Sequence, residues 1–411
     1  MTTSSTTHPE TASATEADRG SGSRGAIDPR LRTLIQIPTP GDHYSPATGS
    51  ALVTIIFEIA RVHQRRGGET RVLVSEGTRH DYPVGECVEV AATAPPRRWQ
   101  KAVDTALGRV GGRRVFGPAV YRPHLDAIPP GFDGPILVHN NPVALTSLKR
   151  RFPRSRVCLW ANNELWGTYT DREVDRLAAA ADRLICCSEY IARGTRARLA
   201  DRWHDKVRVV HNGVDTERFR PRSGPEPTIP VVLFVGRVVE PKGPHLLIEA
   251  AAKAAREVQP FRLRIVGSAG FAADGGLTPY ERHLRELAKP LGDRVEFVPF
   301  RDREAVLEEF AGASVFCAPS NWDDPCPLTV LEGMACGLPV IASRRGGIPE
   351  EAGDAALLFD TPDTDRFAAH LRDLIRDADQ RRRVAARCRE RALRFAWANQ
   401  HAALMESLKA S

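Results

Sequence analysis

Short apolar runs rich in Val, Ile and Leu recur along this chain, each separated from the next by a stretch of helical length. That alternation constrains the fold more than any other feature, because strands joined by long helical crossovers pair in parallel. The first unit is LRTLIQIP, the loop GDHYSPATGSAL, a helix predicted over 52–66 that Gly67-Gly68 stops, and the strand TRVLVS. PILVHN (135–140), VCLWA (157–161), RLICCS (183–188) and VRVVHN (207–212) read as further strands, whereas 90–130, rich in Arg, Pro and Gly, shows no usable period. PRSGPEPTIP (221–230) carries four prolines in ten residues and is predicted to be a linker. The alternation then restarts: VVLFVG, a helix over 244–258, FRLRIVG, a helix over 280–291, RVEFVPF, a helix over 303–310, SVFCAP, a helix near 330, LPVIAS and ALLFD, with a helical end over 364–411. The expected fold is α/β, with two Rossmann-like doubly wound parallel-sheet domains, 29–220 and 221–385, facing a cleft. Ligands in such sheets sit beyond the carboxyl ends of the strands.

The 411 residues are 42% hydrophobic, enough for two ordinary cores. No run approaches the roughly 18 apolar residues of a spanning helix. The opening segment, 1–28, is Ser/Thr/Gly-rich without an apolar stretch, so the expectation is a disordered tail, no signal peptide and a cytoplasmic protein. Eight scattered cysteines show no metal-ligand spacing and are expected to be reduced and mostly buried. The net charge of +7 suits either a solvated surface or an anionic partner, such as a nucleotide or an acidic membrane surface that the chain touches peripherally. The cations are spread without interleaved aromatics, which argues against a nucleic-acid partner.

The densest chemistry lies in SNWDDPCPLTVLEGMACGLPVIASRRGGIPE, residues 320–350. Pro327 is predicted to open a helix, and Gly337 and Pro339 stop it. The first amides, at Cys326, Leu328 and Thr329, then lack intrahelical partners and form an anion site with the helix dipole. Glu332, inside the helix, leans back toward that mouth, and Asp324 lies in the loop before it. Either acid suits sugar or ribose hydroxyls. The plain alternatives are a helix cap at Asp324 and a solvated Glu332. A metal-binding pair at Asp323-Asp324 is disfavoured, since Pro325 follows at once and no partner acids cluster nearby.

This segment resembles the signature of retaining family-4 glycosyltransferases of GT-B architecture: an acid, seven residues, a Glu, Met-Ala-x-Gly-x-Pro-Val, then Gly-Gly-x-x-Glu. VVHNGVDTERFRP (209–221) and FVGRVVEPKGPHLLIEA (234–250) are similar to two further family segments and stand in the family's order. The resemblance implies that Arg237 and Lys242, after VVLFVG, bind the donor diphosphate and stabilise the leaving group, a role that suits a guanidinium fork and an ammonium point charge. Without it they would read as two surface cations. It places Gly236 beside them, Glu332 on the ribose, and Gly49 in a glycine loop close to the diphosphate, where a simple helix-entry glycine is the alternative. Asp324 occupies a position that is usually Glu, one methylene longer. The backbone at Val298, next to Pro299, is expected near the base. His139, ending PILVHN, matches a histidine near the reacting sugar, although a lone strand-end His is otherwise a packed or capping residue. Asn162 and Asn163 replace the family's His-Asp or His-Asn and, with Glu164, are acceptor-side candidates. His211 and Asn212 are expected to support the interdomain hinge, and 386–411 to cross back onto the first domain.

The implied activity is transfer of a hexosyl or N-acetylhexosaminyl group from a nucleotide diphosphate sugar, UDP-sugar favoured, to a hydroxyl of a small-molecule, lipid or glycan acceptor. No metal or cofactor is required in that account. The same architecture also serves nucleotide-sugar epimerases and sugar phosphorylases. A non-catalytic sugar-nucleotide-binding subunit is the reading from a different class, disfavoured by the presence of Arg237, Lys242 and Glu332 together.

Overall fold

The computed structural model describes residues 27–270 and 276–409. Of the tail expected over 1–28, all but the last two residues lie outside the described residues. The first half contains β1 (Thr33–Ile37), α1 (Ala51–Arg65), β2 (Glu69–Ser75), β3 (Glu86–Val90), α2 (Arg98–Arg109), α3 (Phe116–Ala119), α4 (Arg122–Ala127) and β4 (Pro135–His139). It continues with α5 (Leu145–Arg151), β5 (Arg156–Ala161), α6 (Asp171–Ala180), β6 (Arg183–Cys186), α7 (Glu189–Arg196) and β7 (Val207–Val209). The second half begins with β8 (Val231–Val235), α8 (Pro244–Ala254), β9 (Arg262–Val266), α9 (Pro279–Ala288), β10 (Val295–Val298), α10 (Arg303–Gly312) and β11 (Val315–Ala318). It ends with α11 (Leu328–Ala335), β12 (Val340–Ser343), α12 (Ile348–Ala352), β13 (Leu357–Phe359), α13 (Thr364–Arg376), α14 (Ala378–Leu393) and α15 (Trp397–Ser407).

Local chemistry sets many of these limits. Thr170 with Glu173 and Thr278 with Glu281 form reciprocal caps that start α6 and α9. Strands β4 and β11 are buried at every position, as apolar runs in a sheet covered on both faces must be. All strand pairs are parallel. The seven-stranded sheet runs β3-β2-β1-β4-β5-β6-β7, and the six-stranded sheet runs β10-β9-β8-β11-β12-β13. Each reverses direction once, between β1 and β4 and between β8 and β11. Those reversals open crevices at the strands' carboxyl ends. The stretch 90–130, without a legible period, holds β3's last residue, three helices and their turns.

The chain returns to the first domain later than expected. The predicted boundary at 386 falls inside α14, which packs with α11 and α13 of the second domain. The crossing is at 394–396, where Val214 N–H donates to the Phe395 carbonyl (2.9 Å) and Trp397 N–H to the Val214 carbonyl (3.3 Å). Trp397 and Leu404 of α15 and Leu408 just after it then share a core with Ile55 and Ile59 of α1 and with Trp160 of β5. A buried histidine pair pins the contact: His63 Nδ1 lies 2.9 Å from His401 Nε2, and His63 Nε2 lies 2.9 Å from the Arg32 carbonyl. With Nε2–H donated to that carbonyl, His63 Nδ1 must accept, so His401 donates from Nε2.

Burial holds these imidazoles neutral. His401 is pushed down to about 3, first by burial and then by His63 and Arg66, and His63 is lowered by burial. Burial alone lowers His124 to about 4. A histidine with a folded value below its unfolded one binds more protons when unfolded, so stability is full above about 6.5 and is lost as pH falls below it. We predict that denaturant unfolding will show a lower unfolding free energy at pH 5 than at pH 7. Each independent histidine should contribute up to about 1.4 kcal/mol per pH unit. An unchanged free energy across that interval would contradict the neutral assignment.

Candidate active site

A cavity of about 420 Å³ lies between the carboxyl ends of the two sheets. The first domain lines it with Thr39 and Asp42 after β1, Gly49 and Ser50 before α1, Asn140 after β4, and Asn162 and Asn163 after β5. The second contributes Gly236, Arg237 and Lys242 after β8, Arg303 at the start of α10, and the loop and helix from Ser320 to Glu332. A smaller cavity of about 120 Å³ adjoins it. The two share Gly49, Gly236, Arg237, Arg303, Thr329 and Glu332, and the smaller one runs on to Ser268, Phe300 and Arg301.

The wall built by α11 depends on two glycines. A Cβ on Gly347 would stand 1.9 Å from the Pro325 carbonyl oxygen, and one on Gly346 would stand 2.3 Å from that of Asp324. Their absence lets the 323–325 loop lie directly on the 346–347 turn, where Gly347 N–H donates to the Asp324 carbonyl (2.8 Å). From the first domain, Asn212 Nδ2 donates to the Cys326 carbonyl (2.9 Å). Pro327, predicted as the first helical residue, is the cap instead, with extended backbone and no capping side chain. The Leu328 and Thr329 amides therefore begin the helix at the cavity without a capping side chain.

The acids are committed to cations. Asp324, almost wholly buried, accepts from Lys242 Nζ (2.5 Å) and Ser320 Oγ (3.3 Å), and Lys242 lies 5.7 Å from the Trp322 ring centre. The short Asp324 side chain thus steadies the lysine rather than standing alone. Asp323 faces Arg345 Nε at 3.0 Å, so the two adjacent acids do not converge on one point. Buried Glu332 pairs with Arg303 Nη2 at 2.6 Å. Burial opposes the charge on Arg303, but the Glu332 carboxylate outweighs it and raises the guanidinium above its ordinary value. Burial also raises Asp42, against lowering by Thr39 and His43.

Glu350, the last residue of Gly-Gly-x-x-Glu, works between domains. Its carboxylate accepts from the Glu189 and Tyr190 amides at the start of α7, both at 2.6 Å, and faces His211 Nε2 at 3.3 Å. Burial raises this carboxyl, but His211 and the two amides overcome it and hold it below the ordinary range. His211 and Asn212 thus both bridge the domains.

Gly49, Gly236, Arg237, Lys242, Asn162, Asn163, Asp324, Cys326, Leu328, Thr329 and Glu332 all meet at the main cavity. Three expected residues do not. His139, read as cleft-facing, is wholly buried and stacks on Trp160, with ring centres 5.4 Å apart and Nε2 3.0 Å from Gln36 Oε1. Burial pushes it down to about 3, so it is neutral and shielded from the cleft. The next residue, Asn140, takes the cleft position with φ 54°, and its Oδ1 accepts from Asn162 N–H at 2.7 Å. The chain leaves β4 at this residue in a left-handed turn, so Asn140 reaches the cavity while His139, still in the strand, stays on the covered face of the sheet. Glu164 is exposed and lines neither cavity, and it accepts from the Tyr190 hydroxyl at 3.0 Å. Val298 is buried, and its carbonyl accepts from Gly267 N–H (2.9 Å); Phe300 and Ser268 reach the smaller cavity instead. Sequence reasoning missed Arg303 and Asn140 as site residues. Asn140 had a usable signal in its polar side chain at a strand's carboxyl end, whereas nothing local marks Arg303.

With this geometry the comparisons are specific. Residues 52–218 match the family described as Glycosyltransferase Family 4, and residues 215–391 match Glycosyl transferases group 1. Together the matches run through both domains, and the chain belongs to these two-domain glycosyltransferases. Spore coat protein SA of Bacillus subtilis is 28% identical over 64% of this chain and 74% of that relative. A D-inositol 3-phosphate glycosyltransferase of Saccharomonospora viridis is 33% identical over 56% of each, so the chain spans about half the length of that relative. The fold is shared with Anabaena HepE, solved in complex with UDP (TM-score 0.67, 17% identity, 92% of this chain and 99% of that one). It is also shared with sucrose-phosphate synthase of Thermosynechococcus elongatus (TM-score 0.67, 19% identity, 91% and 98%).

The Arg303–Glu332 pair gives a direct test. Arg303→Met leaves a buried carboxylate unpaired and should cost about 3 kcal/mol. Adding Glu332→Leu should recover most of that loss while leaving nucleotide binding weak. Denaturant midpoints of the two variants, with titration of UDP, measure both effects. Equal stability of Arg303→Met and the parent would refute the pairing.

Proposed function

We propose that the chain is a retaining glycosyltransferase. It moves a hexosyl or N-acetylhexosaminyl group from a nucleotide diphosphate sugar, UDP-sugar first among donors, to a hydroxyl acceptor. The observation that carries this reading is the convergence of Arg237, Lys242 and the uncapped amides of α11 on one cavity wall. Three independent sources of positive potential suit a diphosphate and the charge it gains as the sugar leaves. Glu332 with Arg303 suits the ribose hydroxyls, and the smaller cavity beside Phe300 suits the base. The complexes of HepE with UDP and with UDP-glucose support a uridine donor.

In this reading the sugar lies toward Asn140, Asn162 and Asn163. The bond from its anomeric carbon to the diphosphate oxygen breaks, and the acceptor oxygen bonds to that carbon on the same face. The acceptor proton passes to the departing phosphate oxygen, so the configuration is kept and no protein nucleophile is needed. Lys242, steadied by Asp324 at 2.5 Å, is held in place before the reaction, and such preorganisation is what makes a cation effective there. Holding donor and acceptor together between two domains supplies the rest of the advantage.

Lys242→Ala should lower turnover at saturating donor by about 10²–10³-fold at a temperature where the variant is still folded, and it should also lower the unfolding midpoint, because buried Asp324 loses its cation. Activity is to be followed as release of the nucleoside diphosphate across a panel of nucleotide sugars and acceptors. A near-normal rate in this variant would remove Lys242 from the mechanism, and failure of every nucleoside diphosphate to raise the melting temperature would remove the donor assignment.

A further inference from the structure

We propose that α2 and the turn after it form a docking face for an anionic phospholipid bilayer. Among the described residues, seven large hydrophobic side chains are strongly exposed, and four of them lie on this short segment: Trp99 (56%), Val103 (39%), Val110 (82%) and Val115 (56%). On α2 and its C-cap, Trp99, Ala102, Val103, Ala106 and Val110 are all exposed. Their spacing is that of one helical stripe. This stripe points outward, the reverse of an ordinary surface helix.

The orientation is fixed by the polar face. Buried Asp104 accepts from the amides of Val115 (2.7 Å), Phe116 (3.1 Å) and Gly117 (2.7 Å), tying α3 to α2. Gly108 lies so close to α6 that a Cβ there would stand 2.3 Å from Glu173 Oε1. Rolling the helix to hide its valines would break the first contact and strand a buried carboxylate. The apolar face is therefore held in water until something covers it.

Charge selects what covers it. Residues 97–122 hold seven cationic side chains and one acid, Asp104, which is turned inward. Arg114 is paired with Glu173, but Arg97, Arg98, Lys101, Arg109, Arg113 and Arg122 form no ion pair among the described residues. Beside Val115 an open concavity is bordered by Arg122, Arg150 and Arg151, of which Arg151 faces Asp126 at 3.6 Å. A second copy of the chain would set these cations against each other. Nucleic acid would leave Trp99 and the valines uncovered. A bilayer rich in anionic headgroups satisfies both features, with the tryptophan and valines in the interfacial layer and the cations among phosphates. The face also borders a cavity that shares Thr39 with the donor cavity, so docking would bring the cleft close to the bilayer.

The test is co-sedimentation of the full chain with vesicles of phosphatidylcholine alone and of phosphatidylcholine with an equal share of phosphatidylglycerol, at low and high salt. The expected result is binding to the phosphatidylglycerol vesicles that weakens with salt. Val110→Glu, at the most exposed position, should lower partitioning about tenfold, and Trp99→Glu with Val110→Glu further, with melting temperature and UDP binding unchanged. Absence of binding to phosphatidylglycerol vesicles, or equal partitioning of the variants and the parent, would overturn the proposal. So would concentration-dependent self-association that Val110→Glu abolishes, since the face would then join two copies. None of these outcomes bears on sugar transfer, which is measured separately.

Discussion

The contact on which the site rests is the seating of the 323–325 loop on the bare backbone of Gly346 and Gly347. It fixes where α11 begins, and with it the direction of the Leu328 and Thr329 amides. The same turn leads into α12, which carries Glu350, whose carboxylate caps α7 of the other domain through two 2.6 Å hydrogen bonds. One short segment therefore positions the anion-binding wall and sets it against the first domain. A side chain at either glycine would disturb both at once, because backbone atoms lie where its first carbon would go.

Around that frame, buried charges are arranged in pairs. Lys242 with Asp324 and Arg303 with Glu332 each leave a cation beside the cavity and an acid behind or next to it. Such pairs are costly to bury and add little net stability. Their use is positional: a long, flexible lysine and a long arginine are held where a diphosphate and a ribose would need them. The energy of folding comes instead from the two sheet cores and from α15 with its C-cap, where Trp397, Leu404 and Leu408 close the first domain's core with residues from the far end of the chain.

Legibility in the sequence followed the range of the interaction. Strand runs such as PILVHN and RVEFVPF were readable because burial on both faces demands continuous apolar residues. The stretch 90–130 was not, since α2, the longest of its three helices, carries its apolar stripe outward and gives a false direction for the core. Arg237, Lys242 and Glu332 were reached through the family resemblance of their segments, since on local pattern alone the two cations read as surface residues and Glu332 equally as a solvated helix position. His139 was placed on the wrong side of its strand, and Arg303 went unnoticed because its partner lies 29 residues away on another helix.

By itself the sequence determined the alternating architecture and, to within one residue, the helix start that leaves amides open. These follow from local propensity and from short spacings, which a chain carries wherever it folds. Only the tertiary structure decided that Asn140 and not His139 meets the cleft, that Asp324 steadies Lys242, that Glu350 bridges the domains, and that the apolar side of α2 stays outside. Each depends on which distant backbone comes within a few ångströms, and no local pattern encodes that proximity.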